Sequence, residues 1–180
     1  MRATEILKYE HDDILLVLNR MEKEIAPMAE TGNIPVERLC KMIDFCQNFA
    51  DKFHHGKEEN HLFLKLIENG MERESCPLAV MYEEHDMGRK NIQKMKKAIE
   101  SIKEGNLQFA ELLCSNMQEY IELLRDHIDK ENYILFQMAD QILKPEDQEY
   151  LTQVFEEIQT QDEGKAFYQK YHTMAQELAL

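Results

Sequence analysis

Residues 54–63 read HHGKEENHLF and residues 127–136 read HIDKENYILF. Set one above the other without a gap, they pair His54 with His127, Lys57 with Lys130, Glu58 with Glu131, and end on a shared Leu-Phe. A second echo lies upstream of each, Glu10-His11-Asp12 against Glu84-His85-Asp86. The offsets agree, since 54 to 127 is 73 residues and 11 to 85 is 74. The first half of the chain is therefore repeated in the second. Each half brings one solitary histidine and one His-x-x-x-Glu, and repetition of this kind speaks of architecture first.

Working outward, apolar residues recur at helical spacing over four long stretches, and the glycines and prolines gather in the breaks between them. Helix A is expected over about Ala3 to Met28, with Leu7, His11, Ile14, Leu18, Met21 and Ile25 on one stripe, and Thr31-Gly32-Asn33 stops it. Helix B runs from Pro35 to Glu68 and ends at Asn69-Gly70. Helix C opens near Pro77 and ends before Gly105, and helix D spans Leu107 to Leu143 until Lys144-Pro145 closes it. Short connections make consecutive long helices antiparallel neighbours, so the expected fold is all-α, an up-down-up-down four-helix bundle. Residues 1–142 form that bundle. Residues 143–180 form a C-terminal helical extension of one or two amphipathic helices that packs on it.

Composition narrows the function. With 21 basic against 35 acidic residues the formal charge is -14. Nucleic acid and anionic membrane surfaces are poor partners for such a chain, because both require a basic face. The longest aliphatic run, Ile14 to Leu18, is far below the ~18 residues of a spanning helix. Residues 1–13 are charged and lack the apolar stretch of a secretory signal, so the expected location is cytoplasmic. Cys40, Cys46, Cys76 and Cys114 have no Cys-x-x-Cys spacing and read as reduced packing residues.

Histidine and glutamate at i and i+4 lie about 40° apart on a helix of ~100° per residue, so one face presents an imidazole above a carboxylate. Helix B offers two registers. On an ideal wheel His54 and Glu58 fall with Ile43, Cys46, Ala50, Phe53 and Leu64, whereas His55 and Glu59 point away and are expected at the surface. The same wheel places His127 and Glu131 among Phe109, Leu113, Tyr120, Leu124, Met138 and Ile142. His11 and His85 also fall within apolar stripes. Six such groups buried without a partner would be costly, and cations remove the cost. Four imidazoles and two carboxylates exceed the needs of one tetrahedral zinc and suit iron or manganese. The expected site is therefore two metals held by His11, His54, Glu58, His85, His127 and Glu131, with two histidines per metal and both glutamates bridging. A metal-free polar core is the competing reading. A ferritin-like site needs Glu-x-x-His twice, and Glu58 with His61 provides it only once.

Taken in order and spacing over residues 3–142, these motifs resemble the hemerythrin HHE-type family. The resemblance implies a non-haem di-iron centre on the six residues above, as two iron ions (Fe2+/Fe3+) with an oxo or hydroxo bridge and manganese or zinc as substitutes. Two departures stand out. Oxygen carriers of the family have a second helix C histidine where this chain has Arg89, and an aspartate where it has Asn132. The four-His, two-Glu set resembles the sites of bacterial iron-centre repair proteins. What the resemblance implies for function is binding or sensing of a small diatomic ligand such as oxygen or nitric oxide, or of a peroxidic one, with binding favoured over turnover. The rival readings are iron handling or repair, peroxide decomposition, and a metal-stabilised interaction module whose protein partner the sequence does not name. His61 is expected near the bundle end, or else beside the ligands or as an alternative ligand; His172 is expected at the surface; and Gly88 marks either a close helix contact or a channel for a small ligand.

Overall fold

Backbone carbonyls and amides at helix ends need partners, and the breaks supply them. The computed structural model describes residues 1–180, the side chain of residue 162 apart. The first helix, α1 (Ala3–Thr31), opens where the Arg2 amide donates to Glu5 Oε2 at 2.7 Å. It closes on Gly32, whose left-handed φ of 67° lets its amide return to Met28 O. Next come α2 (residues 36–68), α3 (Leu78–Lys103) and α4 (residues 110–142, after a single tight turn at Leu107–Phe109). The C-terminal stretch forms two helices, α5 (Pro145–Thr160), with its proline in the first turn, and α6 (Asp162–Ala179). The protein is thus all-α, with six helices and no strand among the described residues. Each break predicted from glycine or proline lies within about three residues of the observed one, the usual fraying of helix ends. No described helix is long and apolar enough to cross a membrane.

Two apolar clusters carry the packing. The larger gathers Ile14, Leu18 and Met21 of α1, Phe45 and Phe49 of α2, Ile92 and Met95 of α3, Met117 and Leu124 of α4, and Tyr171 and Ala175 of α6. The smaller joins Ile6 and Leu7 to Leu62, Phe63, Leu78, Leu135, Phe136, Leu151 and Phe155. At about 1.5–3 kcal/mol for each large side chain taken out of water, these clusters dominate the stability. Between them along the helices lies a polar layer. Glu10, His11, His54, His55, Lys57, Glu58, His85, His127 and Glu131 are each no more than 4% exposed.

Two long helices are not regular. Within α2, Cys46–His55 and Glu58–Leu62 are π-helical, and so is Glu131–Leu135 in α4. A π turn bonds i to i+5, so each residue advances less than the ~100° of an α-helix and the face beyond it changes phase. That accounts for three misplaced residues. Leu64, Met138 and Ile142, expected inward on an ideal wheel, are 45%, 37% and 36% exposed, because all three follow a π segment.

Candidate metal centre

The polar layer is built from pairs of histidines that point their Nε2 atoms at each other. His11 Nε2 and His54 Nε2 are 2.9 Å apart, and His85 Nε2 and His127 Nε2 are 3.1 Å apart. Their Nδ1 atoms point outward to acceptors. His54 Nδ1 meets Glu10 Oε2 at 2.8 Å, His85 Nδ1 meets Glu59 Oε1 at 2.6 Å, His127 Nδ1 meets Glu84 Oε2 at 3.0 Å, and His11 Nδ1 meets Asn132 Oδ1 at 3.0 Å. A carboxylate only accepts, so the proton of His54, His85 and His127 sits on Nδ1. Burial drives the His54 pKa well below its ordinary value and that of His85 down to about 3, so these rings are neutral. The Nε2 atoms of His54 and His85 are then bare lone pairs, each turned toward the Nε2 of its partner ring.

The two glutamates complete the layer. Glu58 sends Oε1 to within 3.6 Å of His54 Nε2 and Oε2 to within 3.5 Å of His85 Nε2. Glu131 sends Oε2 to 3.2 Å from His11 Nε2 and Oε1 to 3.4 Å from His127 Nε2. Each carboxylate therefore gives one oxygen to each histidine pair. All four oxygens lack a hydrogen-bond partner although both residues are wholly buried. Burial, with the negative Glu131 opposite, pushes the Glu58 carboxyl well above the usual carboxylate range. Orphaned carboxylates and bare lone pairs within one layer are what a cation relieves, and spacings of 2.9–3.6 Å suit neighbouring ligands of ions with ~2.0–2.2 Å bonds. The donor set of imidazole nitrogen and carboxylate oxygen, without thiolate, fits iron, manganese or zinc. Two groups of potential ligands result: His11, His54, Glu58 and Glu131 in one, and His55, Glu58, His85 and His127 in the other.

All six residues expected from the sequence are thus brought together, two histidines to a side with the glutamates spanning both. His55 requires correction. Expected at the surface, it is 4% exposed and belongs to the second group, because the π-helical stretch Cys46–His55 turns it inward. The internal repeat held a signal for this. The counterpart of His55 is Ile128, an apolar residue that is buried in the core. His61 stands outside both groups, with its ring edge toward Phe155. His172, at 49% side-chain exposure, partners the buried Asp13 at 2.8 Å. Tyr120 is buried in the larger apolar cluster, and a Cβ at Gly88 would meet it at 3.7 Å, an ordinary close contact.

The repeat extends to the groups behind the ligands. Glu10 accepts from His54 and Lys57, and Glu84 accepts from His127 and Lys130. The two halves differ in cover. Glu10 and Lys57 are buried, and Gln159 Nε2 of α5 donates to Glu10 Oε1 at 2.6 Å. Burial pushes the Glu10 carboxyl up and the Lys57 ammonium down, each shift opposed by the other's charge. The side chains of Glu84 and Lys130 are 13% and 39% exposed. At Glu84, the bonds from His127 and Lys130 outweigh burial and hold the carboxyl below its usual range.

The family described as "Hemerythrin HHE cation binding domain" matches residues 2–139. No curated protein and no solved structure matches the chain.

Proposed function

The chain belongs to the hemerythrin HHE cation-binding family, and from that premise we propose that its polar layer holds two iron ions and binds or senses a small ligand such as oxygen or nitric oxide. In this reading α1 to α4 are the up-down-up-down bundle, with α5 and α6 as its extension. His11 and His54 hold one ion, His85 and His127 the other, and Glu58 and Glu131 bridge them. The observation that carries it is the layer of inward lone pairs and unpartnered carboxylates between two apolar clusters. When bound, a ferrous pair supplies electrons and open coordination positions to a diatomic or peroxidic ligand.

The chain's own groups favour binding over turnover. The Nδ1 protons of His54, His85 and His127 are committed outward, which leaves the interior poor in proton donors for reducing a ligand further. The apolar clusters above and below keep bulk water from the layer. The test is an anaerobic, ferrous-loaded sample exposed to oxygen and to nitric oxide in turn. A spectral change that reverses on removing the gas is expected. Prompt conversion to the ferric form with peroxide consumed and no adduct would replace this reading with an enzymatic one, and transfer of iron to an apo acceptor would replace it with iron handling.

A further inference from the structure

The C-terminal helices lie beyond the residues that the family matches, yet one of them touches the polar layer. Gln159 Nε2 of α5 donates to Glu10 Oε1 at 2.6 Å. The same carboxylate accepts from the Lys57 ammonium and, through Oε2, from His54 Nδ1 at 2.8 Å. A single buried carboxylate therefore separates α5 from a ring of the layer. Apolar contacts follow the same line. Phe155 of α5 is wholly buried, and its ring faces the Lys57 ammonium at 5.8 Å. The Phe53 ring, 4.1 Å from that ammonium, packs on Phe167 of α6 at 5.2 Å, so the extension covers the outer side of the π-helical stretch that carries His54.

The repeat supplies the comparison. Glu84 stands where Glu10 stands and accepts from His127 and Lys130, and among the described side chains no third donor reaches it. Its side chain is 13% exposed and that of Lys130 39%, against 0% and 1% for Glu10 and Lys57. Water can therefore replace a lost partner at Glu84 but not at Glu10. The polar ties of α6 go to other groups. His172 Nδ1 and Gln176 Nε2 meet Asp13 Oδ1 at 3.0 and 3.3 Å, and Tyr171 Oη donates to Asp44 at 2.9 Å. Gln161, with an extended ψ of 129°, breaks the chain between α5 and α6, so the last turns of α5 can yield while α6 stays in place.

We propose that docking of the last turns of α5 on Glu10 and cation binding at His54 are one linked equilibrium, with Lys57 and Gln159 as positioning residues that hold His54 through Glu10. Without a cation, His54 Nε2 is turned toward His11 Nε2 at 2.9 Å, and neither oxygen of Glu58 makes a hydrogen bond, so nothing inside the layer fixes the ring. With Nε2 engaged, the ring is fixed, its Nδ1–H becomes a stronger donor, and Glu10 is held in place for Gln159. Linkage makes the effect mutual: by whatever factor α5 docking tightens the cation, the cation tightens α5 docking. A segment outside the family match thus responds to occupancy of one metal position, whereas the equivalent line from His127 through Glu84 ends at solvent. This rests on the two-metal reading above.

The experiment follows backbone amide exchange by mass spectrometry in the full chain, metal-free and loaded with cobalt(II), for wild type and Gln159→Leu. Cobalt(II) affinities are measured by competition against a chelator. In wild type, exchange at residues 155–161 is expected to slow about tenfold on loading. In Gln159→Leu that slowing is lost, while residues 168–178 of α6 respond as in wild type, and one of the two ions binds about tenfold more weakly with the other unchanged. Circular dichroism of the metal-free variant reports its fold, and the wild-type comparison needs no variant. If wild type holds two ions and its α5 exchange is the same with and without them, the linkage is overturned and the two-metal reading stands. If Gln159→Leu keeps the wild-type slowing and affinities, or weakens both ions and loosens both helices alike, the positioning role of Gln159 is overturned. If wild type binds no cobalt, iron or manganese, the two-metal reading fails and takes this one with it.

Discussion

Replacing Glu58 with glutamine should stabilise the metal-free protein and weaken the metal-loaded one. Glu58 is wholly buried, neither of its oxygens has a hydrogen-bond partner, and Glu131 faces it with two more such oxygens. Without a cation, each unsatisfied buried polar group costs about 1–3 kcal/mol, and more if charged. Glu58→Gln preserves the side chain's length and holds it uncharged, the form that burial and the facing Glu131 favour when no cation is bound. It also supplies an amide N–H within reach of the bare Nε2 atoms of His54 and His85, now 3.6 and 3.5 Å from the carboxylate. The metal-free variant should therefore gain about 1–3 kcal/mol, which for a domain of this size raises Tm by about 2–4 °C per kcal/mol. With metal the sign reverses, because Glu58 serves both histidine pairs and a neutral amide is a weaker ligand. The assay is urea and thermal unfolding, followed by circular dichroism, on chelator-stripped and metal-loaded samples of both proteins. A metal-free variant that is no more stable than wild type would mean that the carboxylate is already satisfied, and the reasoning from orphaned oxygens would be wrong.

Three further outcomes follow from the same geometry. His85 has a folded pKa of about 3 against 6.5 unfolded, so the unfolded chain binds a proton that the folded one refuses. Metal-free stability should then fall as pH drops below about 6.5, by ~1.4 kcal/mol per pH unit for each such imidazole; His54 and His55 act in the same direction and the raised Glu58 opposes them. Urea midpoints at pH 7.5, 6.5 and 5.5 check this, and a midpoint that rises toward acid contradicts it. Lys57→Met leaves Glu10 buried without its cation and should cost about 3–5 kcal/mol, whereas Lys130→Met, at the more exposed pseudo-equivalent pair, should cost no more than about 1 kcal/mol; equal losses in urea unfolding would refute the asymmetry. Gln159→Leu removes the α5 donor from Glu10, which orients His54, and should speed metal loss to a chelator about tenfold or more without moving the metal-free Tm by more than a few degrees. Unchanged release would detach the C-terminal helices from the centre.

The all-α class and the helix boundaries were legible because helix breaks in this chain coincide with Gly32, Asn69-Gly70, Gly105 and Pro145, and because the four long stripes are strongly periodic. The candidate site was legible through repetition. Neither His54-x-x-x-Glu58 nor His127-x-x-x-Glu131 means much alone, but the matched Glu-His-Asp upstream of each placed all four histidines in one register. What failed was the assumption of one helical pitch. His55, Leu64, Met138 and Ile142 all lie in or beyond π-helical turns, where fewer degrees per residue rotate a side chain to the other face. Long-range partners were also out of reach. Arg89 with Asp51 and Glu59, and Gln159 with Glu10, join residues 30 to 149 positions apart, and no local pattern announces them.

The central claim is that cations belong in the polar layer, and elemental analysis of the natively expressed protein, purified without chelator from iron-sufficient cells, tests it most directly. Two ions per folded chain, predominantly iron, are predicted, falling to one or none when His54 or His127 is changed to alanine. A folded wild-type chain that carries no metal, or holds the same content after either substitution, would contradict it.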